Sequence, residues 1–124
     1  MTVVLDTNAL MMPVECDVRL FEELERLQED PTPLVPRAVE RELEALAEGA
    51  SQEARAARVG LDLLERCERR ETDAEYADDA ILELAVAVDA PAVTNDQALR
   101  DRLLDAGVSV IGLRGKNKLV LTQP

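Results

Sequence analysis

The stretch PAVTNDQALRDRLLDAGVSVI, residues 91–111, contains a complete strand–helix–strand unit. Residues 91–94 form a short apolar run that predicts a strand, and residues 96–106 have apolar positions at helical spacing. Gly107 indicates the end of this helix because glycine readily adopts the left-handed conformation found there. Residues 108–111 then predict a second strand. Alternation of strand and helix in this way is typical of a parallel sheet.

The same alternation runs through the rest of the chain. Strands are predicted at Thr2–Leu5, at 34–35 and, on a sheet edge, at 119–121; helices are predicted at 17–29, 36–47, 51–69 and 78–88. The sequence therefore predicts an α/β fold with a mainly parallel sheet of about 4–5 strands and helices on both faces. With 124 residues and 47% hydrophobic content, the chain is expected to form one domain, residues 1–124, with a short basic C-terminal tail from about residue 112.

Histidine is absent from the chain, and Cys16 and Cys67 are its only cysteines. Catalytic Ser–His and Cys–His pairs are therefore excluded, as are a zinc site of the Cys/His kind and a disulfide framework. Any catalysis must rest on carboxylates, metal ions or both. The chain has neither a run of roughly 18 apolar residues nor a signal segment at its N-terminus, which predicts a cytoplasmic protein.

The chain is strongly acidic, with 26 acidic and 14 basic residues and a formal net charge of -12 at pH 7. This balance is typical of halophilic proteins, because at molar salt the Debye length falls to about 3 Å and repulsion between carboxylates is screened. The acidity therefore indicates a solvent of high salt concentration more than it indicates the kind of binding partner. The segment after residue 111 differs, since it holds Arg114, Lys116 and Lys118 and no acid. It could contact phosphate or be a solvated tail.

Two acids directly follow predicted strands. Asp6 comes after the first strand, and Asp96 comes after the strand at 91–94. In an open parallel sheet, functional groups collect at the carboxyl ends of the strands, so both acids could enter one site. Each could instead be a turn residue or the N-cap of the following helix. The presence of both favours a site.

Further acids lie on predicted helices, where a rotation of about 100° per residue determines which way each side chain points. Glu40 and Glu42 border the buried stripe of the helix at 36–47, and either could enter a site. On a later helix, Asp78 projects near the apolar stripe while Asp79 points about 100° further round, so the geometry favours Asp78. Helix capping is the other interpretation of Asp78.

Four short motifs, in this order, resemble those of PIN domains. They are Asp6-Thr7-Asn8, Val35-Pro36 followed by Glu42-Leu43, Ala77-Asp78-Asp79-Ala80-Ile81-Leu82, and Thr94-Asn95-Asp96. The resemblance covers nearly the whole chain. It is greatest to small archaeal, VapC-related PIN proteins of the kind that process ribosomal RNA, through the third and fourth motifs and the ending Val110-Ile111-Gly112-Leu113-Arg114-Gly115-Lys116.

This resemblance implies a metal-dependent endoribonuclease. It assigns the catalytic and metal-binding roles to Asp6, Glu42, Asp78 and Asp96, with Asp79 as a supporting or additional ligand. Supporting roles fall to Thr7, Asn8, Thr94 and Asn95. Separately from the resemblance, positive charge makes Arg100, Arg102, Arg114, Lys116 and Lys118 candidates for contact with RNA phosphates. A helical arginine such as Arg100 could instead be a solubilising surface residue. The implied cofactor is Mg²⁺ or Mn²⁺, ions that prefer hard oxygen ligands. Repulsion among so many carboxylates would itself favour a bound cation.

Other functions remain open at this point. A VapC-type toxin ribonuclease uses the same fold and acids and would have an antitoxin as partner, whereas an enzyme of RNA processing would work beside a ribosome-assembly partner. A catalytically silent, RNA-binding scaffold is the alternative from another class, and the presence of all four acids argues against it. The apolar positions between 18 and 27 could form a homodimer contact or belong to the core.

A phosphoacceptor receiver domain shares the doubly wound plan but requires paired acids after the first strand and a lysine after a late strand. This chain has only Asp6 at the first position and no lysine before Lys116. The sequence therefore argues against that class.

Overall fold

The computed structural model describes residues 1–124 and contains six strands, six helices and one 3₁₀ turn. In chain order the elements are β1 (Thr2–Leu5), α1 (Thr7–Glu15), α2 (Leu20–Leu27), β2 (Thr32–Pro36), α3 (Arg37–Leu46), α4 (Gln52–Leu63), the 3₁₀ turn (Leu64–Arg66), β3 (Glu68–Arg70), α5 (Ala77–Val88), β4 (Ala92–Val93), α6 (Gln97–Asp105), β5 (Val110–Arg114) and β6 (Lys118–Thr122).

The six strands form one sheet in the order β3-β2-β1-β4-β5-β6. The first five are parallel, and β6 runs antiparallel to β5. The α/β prediction is therefore confirmed, with six strands in place of the 4–5 expected. The chain builds outward from β1 to β3 and then returns to the other side of β1 for β4. The resulting crevice between the carboxyl ends of β1 and β4 is the place where ligands bind in open sheets of this kind.

Strand β1 lies at the centre of the core. Val3, Val4 and Leu5 are fully buried, and because neighbouring strand residues point to opposite faces, both faces of the sheet must be covered by helices. Within the region 18–27, Val18, Leu20 and Leu24 are buried in the same core cluster. These positions belong to the core and are not free for a homodimer contact.

Helix α1 is absent from the sequence-based prediction, which left residues 7–16 as a loop. Pro13 obscured it, because proline removes a backbone donor and usually ends or bends a helix. Here Pro13 lies within the helix, near its end, and the apolar side chains from Ala9 to Met12 are buried. Burial of these apolar side chains outweighs the backbone hydrogen bond that the proline removes.

Strand β3 is the second missed element, because the predicted helix at 51–69 ends at Leu63. Its sequence, Glu-Arg-Arg, has neither the alternation nor the residue types of a strand. Backbone pairing with β2, with Leu34 opposite Glu68 and Pro36 opposite Arg70, gives it that conformation. The pairing is a long-range contact that a local pattern does not reveal.

The edge strand predicted at 119–121 is present as β6, and residues 112–114, expected to begin a basic tail, complete β5. Helix α2 holds this edge, since the Leu119 N–H donates to Glu23 at 2.9 Å and Arg26 donates to the Leu119 carbonyl at 2.6 Å. These bonds occupy backbone groups of an edge strand that would otherwise be open to pairing with another chain.

The two cysteines are free and half-buried. Burial raises the pKa of the Cys67 thiol to about 11, so this thiol stays protonated at neutral pH. None of the helices is both long and apolar enough to cross a membrane.

Candidate active site

Asp6 is the most deeply buried acid of the chain, with 3% of its surface exposed. It follows β1 and caps α1, accepting a hydrogen bond from the Ala9 N–H at 2.7 Å. Burial raises the pKa of its carboxyl to about 7; hydrogen bonds from the Thr94 hydroxyl and Ala9 lower it, and the charges of Asp78 and Asp96 raise it further. Asp6 takes part in no ion pair. A charged carboxylate here lacks a positive partner within the chain.

Asp96 lies directly across the crevice. The last residues of β1 and β4, Leu5 and Val93, are paired in register, so the acids that follow them stand at the same edge of the sheet. Asp96 caps α6 by accepting from the Leu99 N–H at 2.9 Å. Its own N–H donates to the Thr94 hydroxyl at 3.0 Å. Capping and membership of a site are therefore compatible for both acids.

Two further carboxylates approach from helices. Asp78 lies in the first turn of α5, and although much of the residue is exposed, partial desolvation of its carboxyl raises its pKa. The negative charges of Asp96 and Glu42 raise it further, and Arg102 lowers it. Glu42 on α3 is exposed and has no ion pair. The charges of Asp78 and Asp96 thus reach Asp6, whereas the charge of Glu42 reaches Asp78.

The neighbouring acids that the sequence left as alternatives are held elsewhere. Glu40 forms ion pairs with Arg37 at 2.9 Å and with Arg69 at 3.2 Å. Asp79 forms an ion pair with Arg102 at 2.8 Å. Both acids are thereby neutralised by arginines, whereas Glu42 and Asp78 remain unpaired.

The polar residues of the first and fourth motifs divide into buried and exposed pairs. Thr7 and Thr94 are buried, and Asn8 and Asn95 are exposed. The Thr94 hydroxyl connects Asp6 with the backbone of Asp96. The Thr7 hydroxyl oxygen is buried without any hydrogen-bond partner.

The residues at this edge suit a hard divalent cation. All the available donors are oxygens, the ligands that Mg²⁺ and Mn²⁺ prefer. As the side chains stand, no three acidic or thiol groups converge closely enough to enclose an ion. Mg²⁺ keeps several waters and commonly uses only one or two protein carboxylates, so a tight cage is not needed. The buried Asp6 carboxylate, which has no positive partner, fits such a cation.

The basic residues assigned to RNA are separated by the structure. Arg100 and Arg114 line one groove, Lys116 is exposed in the β5–β6 turn, and Lys118 lies in a different depression with Asp17, Arg19 and Glu23. Thr94 and Asn95, predicted as supporting residues, also line this groove, whereas sequence reasoning missed Gln97 and the other lining residues of the two last strands. The alternation of Val110, Gly112 and Arg114 would have indicated them had the strand been predicted to continue beyond 111.

The fold is that of a doubly wound α/β protein, with Asp6 and Asp96 following the adjacent central strands β1 and β4. A family model described as "PIN like domain" matches residues 3–116. The chain therefore belongs to the PIN-like domain family, a family of nucleases. No curated protein sequence matches the chain.

Solved structures share this fold over nearly their full lengths. The PIN domain endonuclease Utp24 superposes with a TM-score of 0.80 at 26% identity, covering 99% of this chain and 92% of that one. VapBC2 from Rickettsia felis, bound to a DNA fragment from its promoter, gives 0.68 at 17% identity, covering 92% and 100%. A domain of a functionally unknown protein from Methanocaldococcus jannaschii gives 0.69 at 21% identity, covering 96% and 95%. The last two similarities show the fold alone.

Proposed function

We propose that this protein is a divalent-metal-dependent endoribonuclease. It cleaves RNA phosphodiester bonds in a catalytic site formed by Asp6, Glu42, Asp78 and Asp96. The observation that carries the proposal is Asp6, a buried carboxylate without a positive partner at the crevice between β1 and β4. Such a group is costly unless a cation binds to it. Membership of the PIN-like family and similarity to the endonuclease Utp24 support the same activity.

Each acid has a distinct task in this proposal. Asp6 and Asp96 hold the cation from the ends of two adjacent strands, and Thr94 fixes both of them from the side. Asp78 and Glu42 complete the ligand set from α5 and α3, with Asp79 kept at its border by Arg102. Bound Mg²⁺ or Mn²⁺ would lower the pKa of an attacking water and stabilise the leaving oxygen. No histidine is needed as a base.

We favour a role in RNA processing over that of a toxin. The Thr94-Asn95-Asp96 motif and the ending from Val110 to Lys116 resemble the processing enzymes. The chain is also more similar to the endonuclease Utp24 than to VapBC2, in both TM-score and identity. A ribosome-assembly partner accordingly fits the proposal better than an antitoxin.

The test is cleavage of a panel of structured and single-stranded RNAs at high salt, with Mg²⁺, with Mn²⁺ and with EDTA. We expect cutting of at least one RNA with either metal ion and none in EDTA. Cutting that persists in EDTA would contradict a metal-dependent site. A chain that binds RNA but cuts none of the panel would instead be a scaffold.

Asp78→Asn and Asp79→Asn form a matched pair of variants on adjacent residues. Asp78→Asn is expected to lower the single-turnover cleavage rate more than about 100-fold, because even groups that only orient metal ligands contribute 10–100-fold. Asp79→Asn is expected to lower it less than about tenfold, because its carboxylate is paired with Arg102. Equal losses of cleavage rate in the two variants would show that Asp79 contributes to catalysis as much as Asp78 does.

A further inference from the structure

A groove of about 330 Å³ lies beside the acidic site, a size within the range of small-ligand pockets. Its floor is one face of the β5–β6 hairpin, where Val110, Gly112 and Arg114 alternate along β5 and Val120 and Thr122 lie opposite on β6. Its wall is the β4–α6 connection and the start of α6, with Thr94, Asn95, Gln97 and Arg100.

The floor of the groove is low and apolar at its centre. Gly112 has no side chain, and a Cβ at this position would lie 3.3 Å from the Thr94 carbonyl oxygen. Val120 is the register partner of Gly112 on β6 and is half-buried. Glycine at position 112 therefore lets the Thr94 backbone approach closely, and Val120 provides the apolar surface of the floor on which a flat ring can lie. Asn95 and Gln97 on the wall carry amide groups that can hydrogen-bond to the edge of a base.

The charge of the groove is opposite to that of the chain. Arg100 and Arg114 are its only charged lining residues, in a protein of net charge -12. Arg114 has no ion pair, and the sole acidic contact of Arg100 is a distant one of 3.9 Å with Asp101. Two guanidinium groups with free donors suit a phosphate, which they can bind through charge-assisted hydrogen bonds.

The groove and the acidic site share a wall. Thr94 lines the groove, while its hydroxyl accepts from Asp96 and bonds to Asp6. The groove therefore adjoins Asp96, whose chain neighbours Asn95 and Gln97 both line it.

We propose that this groove binds one unpaired nucleotide of the RNA, next to the phosphate that is cleaved. Its base lies on Val120, within reach of the amide groups of Asn95 and Gln97, and its phosphate contacts Arg100 and Arg114. The proposal rests on the proposed function and adds to it a nucleotide-binding subsite outside the four carboxylates, which a base paired in a duplex cannot enter.

The test uses fluorescence anisotropy with a labelled single-stranded RNA decamer in EDTA, where binding is measured without cleavage. The Arg100→Gln/Arg114→Gln double variant is expected to raise Kd at least about tenfold, because it removes two charge-assisted contacts. Arg55→Gln is the matched control: Arg55 is exposed on α4, outside every groove and without an ion pair, so its Kd should stay within about threefold of the native value. Lys116→Gln should also have a smaller effect than the double variant. Arg114→Gln alone provides the test if the double variant does not fold.

Competition by small ligands tests the place of the base. Uridine monophosphate is expected to displace the decamer at concentrations at which inorganic phosphate does not. Equal displacement by the two ligands would overturn the base-binding floor. The proposal of RNA binding by the groove would be overturned by any of three results. These are absence of RNA binding by the native chain, no weakening of binding in the double variant, or an equal loss of binding in Arg55→Gln or Lys116→Gln.

Cleavage separates this proposal from the proposed function. If the decamer binds through Arg100 and Arg114 but no RNA is cut with Mg²⁺ or Mn²⁺, the proposed nucleotide binding by the groove is retained and the proposed nuclease activity is rejected. If metal-dependent cleavage occurs and its KM is unchanged in the double variant, the proposed nuclease activity is retained and the proposed nucleotide binding by the groove is rejected.

Discussion

Asp6→Asn and Asp96→Asn are each expected to lower the rate of metal-dependent RNA cleavage more than about 100-fold, a larger loss than that of groups that only orient ligands. Asparagine is the appropriate substitute because both acids are also N-caps. Its side-chain oxygen can still accept from the Ala9 and Leu99 N–H groups, so the helices keep their caps while the negative charge is lost. Alanine would mix loss of the cap with loss of the ligand.

The matched control is Asp62→Asn, the same chemical change at an exposed position of α4. This variant should cut RNA at the native rate. Single-turnover rates are to be measured with each protein at saturating metal, and thermal unfolding should show that all are folded. Equal activity in all four proteins would mean that the cleavage comes from a contaminant or from a different site.

Metal-free Asp6→Asn is expected to be more stable than the metal-free native protein at neutral pH. In the folded chain the pKa of Asp6 is about 7, against 3.8 for an ordinary aspartate. The folded state therefore holds its proton more tightly than the unfolded state, and the native protein loses stability as pH rises from about 4 to about 7. This gap corresponds to about 4 kcal/mol at most, and we expect a gain of about 2–4 kcal/mol in the variant at pH 8.

The measurement is urea unfolding in EDTA at several pH values between about 4 and 8. The free energy of unfolding of the native protein should fall across this range relative to that of Asp6→Asn. Addition of Mg²⁺ or Mn²⁺ should then stabilise the native protein more than the variant, because a cation compensates the buried charge. If the difference in free energy of unfolding between the native protein and the variant is the same at all pH values, burial does not destabilise the charged form of Asp6.

The acids of the site are visible in the sequence to different degrees. Asp6 and Asp96 follow predicted strands, and the carboxyl ends of parallel strands meet at one edge, so local pattern and sheet geometry together indicate both. Glu42 and Asp78 lie on helices beside a second acid. Helical rotation leaves Glu40 and Glu42 at equivalent borders of one stripe and only favours Asp78 over Asp79.

Ion pairs formed in the fold separate these candidates. Arg69 on β3 binds Glu40, and Arg102 on α6 binds Asp79. Both arginines come from elements distant in the chain, and β3 is itself absent from the local pattern. Helical spacing indicates only the additional Arg37–Glu40 pair on α3 and does not reveal the contacts of Arg69 and Arg102.

The sequence by itself determined the α/β class, the order of most strands and helices, and the absence of histidine chemistry. These follow from residue composition and from periodicities of a few residues, which act locally. Only the tertiary structure decided the strand order around β1, the burial of Asp6 and the groove beside Arg100 and Arg114. These depend on contacts between segments distant in the chain, where burial raises the cost of charge and pairing fixes the conformation whatever the local propensity.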